Sequence, residues 1–299
     1  MPGCAAPRNI YIDAGVNWCN TLTLYQSVPE AQNRLSQPWT VFGFEASRSL
    51  ATFAERCCDA LTAGLPLPEP PLPPAGSSRD LARFAPAYNC SMAHLGLRER
   101  SEHDRKLYKR TKLVPCMLHA LRANLTTALR SDPRLTEAGL LDQRLALARS
   151  CSPAHPRSNF VLLPAAVGKL NGSLKLSDSP VSLLTGGGKG PATQRVTYRT
   201  PMVGLSEWMA SSFTEADFVV LKMDVEGGEH SIVPQMARDG TLRLVDVFLW
   251  ECHHMPRWWR SPCHKLLGML RRNGVGTIYE DPYPWKQSDK DRQTDAAVA

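Results

Sequence analysis

Asp217-Phe218-Val219-Val220-Leu221-Lys222-Met223-Asp224, running on into Val225-Glu226-Gly227-Gly228-Glu229, is the stretch on which the reading of this chain turns. Its middle is apolar and β-branched, and acids bound it at both ends. That pattern predicts a strand buried on both faces. Two glycines then permit a tight turn, and Glu229–Arg238 reads as the helix that follows. Strand, turn and helix in this order make half of a βαβ unit, the building block of a parallel sheet.

Working outward, the same alternation continues. Towards the C-terminus come a strand over Val245–Glu251, a helix near 261–273 and a last strand over Val275–Tyr279. Towards the N-terminus, Leu205–Ser211 reads as a short helix and Phe160–Val167 as a strand. Leu174–Leu176 and Arg195–Tyr198 read as short strands around the glycine run at 186–190. That run is a hairpin tip and not a phosphate loop, because it lacks the Walker spacing and Lys189 is not followed by Ser or Thr. At the start of the chain, Asn9–Ala14 predicts a strand closing on Gly15. Residues 20–35 predict a helix with Leu22, Leu24, Val28 and Leu35 inward and Pro29 as a kink. Trp39–Glu45 predicts a second strand and 48–62 a second helix. The expected fold is α/β: a Rossmann-like, mostly parallel sheet with helices on both faces, plus a helical insertion.

The insertion is marked by composition. Residues 64–78 are proline-rich and read as a linker in extended geometry. Residues 79–150 are amphipathic in pieces, notably 113–129 and 135–148. Three segments follow: 1–63 and 159–299 as two halves of one domain, and 64–158 as a basic insertion between them. The net charge is +7, and 64–158 alone carries an excess of seven basic side chains. A basic surface attracts anionic partners, but no interleaved aromatics accompany it, so no specific nucleic acid is expected. No apolar run approaches the roughly 18 residues of a membrane span.

Nine cysteines stand at irregular spacing without a CxxC, which reads as mostly free, buried thiols in a reducing compartment. No basic region followed by an apolar stretch is visible ahead of the first strand, so no signal peptide is expected. The default localisation is therefore cytoplasmic, with the secretory pathway as the alternative if a leader lies upstream. Three sequons, Asn89-Cys90-Ser91, Asn124-Leu125-Thr126 and Asn171-Gly172-Ser173, point towards that alternative.

A parallel α/β sheet binds ligands beyond the carboxyl ends of its strands, at the switch point. The polar residues at those ends are Asp13, Gly15 and Asn17 after the first strand and Glu45 after the second. Asp224 and Glu226 follow the central strand, and Glu251, His253 and His254 the next. Gly15 permits a close backbone approach, and N–H groups after it are suited to an anionic group. Glu45 is placed to accept hydrogen bonds from a ribose diol, although it lies 32 residues after Asp13, further than the roughly 20 usual in dinucleotide folds. The blander reading of Asp224 and Glu226 is helix capping. For a general base the order of candidates is His253, His254, Glu229, His230. Asp224, Glu251 and His253 also have the chemistry of a metal site. Against that, Glu251 has Lys222 or Arg257 as ion-pair partners, and the favoured reading is metal-free. Trp258, Trp259, Tyr283 and Trp285 read as packing before they read as an acceptor wall.

Taken together, these stretches resemble the FkbM family of methyltransferases. The resemblance is carried by YIDAGVNWCNT at 11–21, FGFEAS at 42–47, LLPAAVG at 162–168, LKMDVEGGEHSIV at 221–233 and LWECHH at 249–254, in family order. It implies a class I methyltransferase that uses S-adenosylmethionine on a hydroxyl of a sugar or small-molecule acceptor. By position it implies that Asp13, Gly15 and Asn17 hold the methionine end and Glu45 the ribose. Ala165 and Ala166 would lie near adenine. Asp224 and Glu226 would line the methyl-transfer pocket, with Asp224 also against the cofactor, and His253 joins them as the first candidate base. Two features depart from the family: Cys19 replaces the second loop glycine, and no seventh strand is evident. The alternatives are a catalytically silent binding module and a nicotinamide-dependent oxidoreductase. The latter is disfavoured because the first loop lacks G-x-G-x-x-G.

Overall fold

The computed structural model describes residues 6–17, 19, 21–68, 133–150, 158–178, 196–253 and 263–280. Most of the basic insertion, the glycine run at 186–190, two of the sequons, His254 and the tryptophans at 258, 259 and 285 lie outside these residues, as does Tyr283.

Six strands form one sheet: β1 (Asn9–Ala14), β2 (Trp39–Phe44), β3 (Asn159–Leu163), β7 (Phe218–Met223), β8 (Val247–Trp250) and β9 (Thr277–Glu280). Their spatial order is β3-β2-β1-β7-β8-β9, and every pairing is parallel. Counted within this sheet alone, that is the 3-2-1-4-5-6 order of a doubly wound fold. The expected α/β, Rossmann-like arrangement is present, and among the described residues no antiparallel strand joins this sheet. The order reverses between β1 and β7, which places the switch point at Ala14–Asn17 and Asp224–Glu226. Asp13 pairs with Lys222 in register across it.

Alternation along the strands explains the two covered faces. Tyr11, Val41, Leu162, Val220 and Leu249 turn to one side, against the segment 21–34 and helix α1 (Arg48–Thr62). Ile10, Ile12, Phe42, Phe44 and Leu221 turn to the other. There they meet α3 (Leu205–Ser212), α4 (Glu229–Asp239) and α5 (Cys263–Arg272). Helix α2 (Leu140–Leu147) is fastened to the sheet by Arg144, which pairs with buried Glu55 of α1 at 2.6 Å and donates to the Leu162 carbonyl.

Three expectations need correction. The helix expected over 20–35 is two 3-10 pieces, Leu24–Ser27 and Pro29–Arg34. Pro29 lacks the N–H that an α-helix would use, so the segment turns tightly; Leu22, Leu24 and Val28 are core, but Leu35 is 39% exposed. The strand expected over 160–167 breaks at Pro164. Ala166–Gly168 becomes β4 of a second sheet with β5 (Gly172–Asp178) and β6 (Val196–Gly204). Among the described residues the cysteines are not mostly free. Cys19 is bonded to Cys57 and Cys252 to Cys263, leaving buried Cys58 as the free thiol among the described residues. These pairs are made by tertiary neighbours, which irregular spacing along the chain does not reveal.

Candidate functional site

The loop after β1 is shaped by its neighbours. Gly15 has φ +95°, and a Cβ there would collide with the Asp224 carbonyl oxygen. Gly15 and Val16 both donate to the Phe44 carbonyl at 3.0 Å, and the Asn17 N–H donates to Glu45 Oε2 at 2.9 Å. Three consecutive amides are thus bonded within the protein. Asn17 and Cys19 hold left-handed backbone at φ +54° and +68°. The Cys19–Cys57 disulfide fixes the far end of the loop to α1. We expect Gly15→Ala to destabilise the fold by at least about 2 kcal/mol, from left-handed strain and a clash with backbone. Thermal denaturation of the purified variant measures this, and an unchanged midpoint would show that the loop yields.

Beneath the loop lies a buried ionic chain. Asp13 is fully buried. Its Oδ2 accepts from Thr21 at 2.7 Å, and its Oδ1 lies 3.2 Å from Lys222 Nζ. Lys222 is 1% exposed, donates to the Gly15 carbonyl and lies 3.7 Å from Asp224 Oδ2. Burial pushes the Asp13 carboxyl up, against the downward pull of Lys222 and Thr21. Asp13 therefore holds the lysine that holds the loop, and its carboxylate does not reach the surface.

At the tips of β7 and β8 the acids and a histidine meet. His253 Nδ1 is 2.9 Å from Oε1 of Glu229, a fully buried carboxylate that also accepts from Val225 N–H. The other ring nitrogen, Nε2, lies 3.7 Å from Asp224 Oδ1 and 3.5 Å from Glu226 Oε2. The hydrogen bond to Glu229 raises the His253 pKa to about 9, against desolvation and with help from Glu229, Glu226 and Asp224 as charges. At neutral pH the ring is an imidazolium, and Nδ1–H donates to Glu229. His230 is placed behind it, with Nε2 2.8 Å from the His253 carbonyl. Glu226 adopts φ +52° before Gly227, so the turn points its mostly exposed side chain outward. Asp224, Glu226 and His253 each offer a ligand atom within 4.8 Å of the others. Glu226, rather than Glu251, completes that trio. A metal would first have to displace the proton that four neighbouring interactions stabilise on His253.

Glu45 stands at the tip of β2. Its Oε1 accepts from Ser47 N–H at 2.8 Å. A carboxylate accepts up to about four hydrogen bonds, so the two backbone bonds do not by themselves exclude a diol. Glu45 lines a cleft of about 460 Å³ with Ala46, Arg48, Thr52, Pro164 and Arg199 among its walls. Ala165 and Ala166 are buried instead, because the chain turns inward after Pro164; Pro164 presents the wall at the tip of β3. The three acids expected in one crevice are thus arranged differently. Glu45 and Asp224 meet the loop 15–17 directly and Asp13 only through Lys222, while Glu45 faces the cleft and Asp224 faces His253. No family model matches the chain, and no curated protein or solved structure matches it either.

Sequence reasoning passed over Lys222 as the brace of Asp13, and Thr21 beside it. The available signal was a lysine inside an otherwise apolar strand, a residue type that is almost never fully buried unless paired. Glu229 stood third among candidate bases. Its position shows it to be the partner of the first, His253.

Proposed function

We propose that the chain is an S-adenosylmethionine-dependent methyltransferase of the class I fold and FkbM type, acting on a hydroxyl of a sugar or small molecule. One observation carries this reading. The strand tips at the switch point offer carboxylates, while the N–H groups of 15–17 are already bonded to Phe44 and Glu45. A dinucleotide pyrophosphate needs free N–H donors at this loop. A nucleoside with a vicinal diol and a sulfonium cation needs acceptors and negative charge, which Glu45, Asp224 and Glu226 supply.

In this reading Glu45 receives the ribose hydroxyls, and the Pro164 wall, with Ala165 and Ala166 behind it, flanks adenine. Gly15 and Asn17 shape the loop beside the methionine end, and Asp13 acts through Lys222. Asp224 and Glu226 face the positive centre. When bound, the cofactor supplies an electrophilic methyl group on a sulfonium. The chain's own work is orientation and removal of the acceptor's proton, for which His253 Nε2 is the placed group.

Titration calorimetry with S-adenosylhomocysteine and with NAD tests this directly. Glu45→Gln and Glu45→Ala should each weaken S-adenosylhomocysteine binding by about 1.5–3 kcal/mol, the value of hydrogen bonds to a charged group. The Gln variant keeps the side chain's shape. Unchanged affinity would remove Glu45 from the ribose. The 3-2-1-4-5-6 strand order favours one second reading, a nicotinamide-dependent oxidoreductase, and tight NAD binding without S-adenosylhomocysteine binding would establish it. Binding of neither would leave a catalytically silent module. A screen of glycans and small hydroxylated acceptors for methyl-donor consumption then names the acceptor.

A further inference from the structure

We propose that Asn171 carries an N-linked glycan, acquired in the same oxidising compartment in which Cys19 and Cys57 are joined. Two independent observations lead there. The first is the disulfide. Cys19 is 1% exposed and Cys57 0%, and they are 38 residues apart in the chain. Sulfurs this deep are out of reach of an oxidant once the core has closed. The bond therefore forms during folding, as two thiols give up two electrons and two protons to a dithiol–disulfide oxidant. Compartments that do this are the secretory ones.

The second is the geometry of the sequon Asn171-Gly172-Ser173. Asn171 ends the turn between β4 and β5, Gly172 and Ser173 open β5, and all three residues are exposed. Asn171 Oδ1 accepts the Gly204 N–H at 2.8 Å, and Nδ2 donates to the exposed Glu207 carboxylate at 2.7 Å. Glycosylation replaces one Nδ2–H with a bond to C1 of the first sugar and releases that proton. The C1–oxygen bond to a lipid-linked pyrophosphate donor breaks. One N–H and the carbonyl oxygen remain, so the modified side chain keeps a donor for Glu207 and an acceptor for Gly204. Leu170 and Leu174, beside the sequon, are 55% and 39% exposed. A solvated sugar at position 171 would cover that apolar surface.

The test is peptide mapping of the full protein purified from the cells that make it, alkylated without reduction and treated with a peptide-N-glycosidase. Asn171 is expected to be recovered as Asp after release, and Cys19 and Cys57 as linked peptides. Asn171→Gln and Ser173→Ala should each lose the whole glycan signal at this peptide, while Ser173→Thr should keep it. Linked Cys19 and Cys57 with a bare wild-type Asn171 would overturn the glycan. Cys19 and Cys57 recovered as free, alkylated thiols would overturn the oxidising compartment.

Discussion

Lys222→Met is expected to destabilise the protein by about 3–5 kcal/mol, the cost of removing one partner of a buried ion pair. The side chain sits in the middle of the sheet, in register with Asp13, and is in contact with Asp13, the Gly15 carbonyl and Asp224. Methionine fills its volume but satisfies none of these oxygens. Asp13 cannot reach water and would take up a proton, which burial already favours. That uptake keeps the loss within the stated range. The double variant Asp13→Asn/Lys222→Met removes the stranded carboxyl, so it should recover part of the loss. Denaturant melts of the four proteins give the coupling energy. Additive losses would show that Asp13 and Lys222 do not act as a pair. The loop also depends on this lysine, so the single variant should bind S-adenosylhomocysteine more weakly even below its unfolding transition.

The fold was largely legible because it rests on strand hydrophobicity. DFVVLKMD, NIYIDA and WTVFGF are apolar on both faces, as a doubly covered parallel strand requires, and all three appear within a residue of the expected bounds. Where the reading failed, a local rule was outweighed. Leu24, Val28 and Leu35 have helical spacing, but Pro29 and the left-handed backbone at Cys19 hold the segment in 3-10 turns. Pro164 divides an apolar run between two sheets. At the candidate site, position along the chain identified the strand-end acids but not their direction. Asp13 and Glu45 each close an apolar strand, yet one turns into the protein towards Lys222 and the other towards a cleft. That difference depends on which face the strand's last residue presents and on what the neighbouring strand places opposite. Disulfides were illegible for the same reason: Cys57 meets Cys19 only after the first loop folds onto α1.

His253 is expected to titrate near pH 9, and Glu229→Gln should bring it back towards the ordinary 6.5. Glu229 is fully buried and supplies the leading cause of the shift, so removing its charge removes most of what stabilises the imidazolium. The sign for stability follows from linkage. A histidine whose folded pKa lies above its unfolded one stabilises the fold fully below about pH 6.5, and that contribution is lost as pH rises to about 9. Wild-type stability should therefore decline across this window, and the Gln variant should show a flatter profile. For catalysis the sign is the reverse. A base must be neutral to take the acceptor's proton, so turnover should climb with pH towards 9 in the wild type and plateau earlier in Glu229→Gln. A sulfonium cation beside Asp224 and Glu226 would oppose the imidazolium and move the turnover limb below that of the free protein. His253→Ala should lower turnover by about 10²–10⁴-fold, the usual contribution of a general base. NMR titration of the ring protons reads the pKa without any acceptor. A wild-type His253 titrating at or below 6.5, or one indifferent to Glu229→Gln, would separate the buried carboxylate from the chemistry and leave His253 as packing.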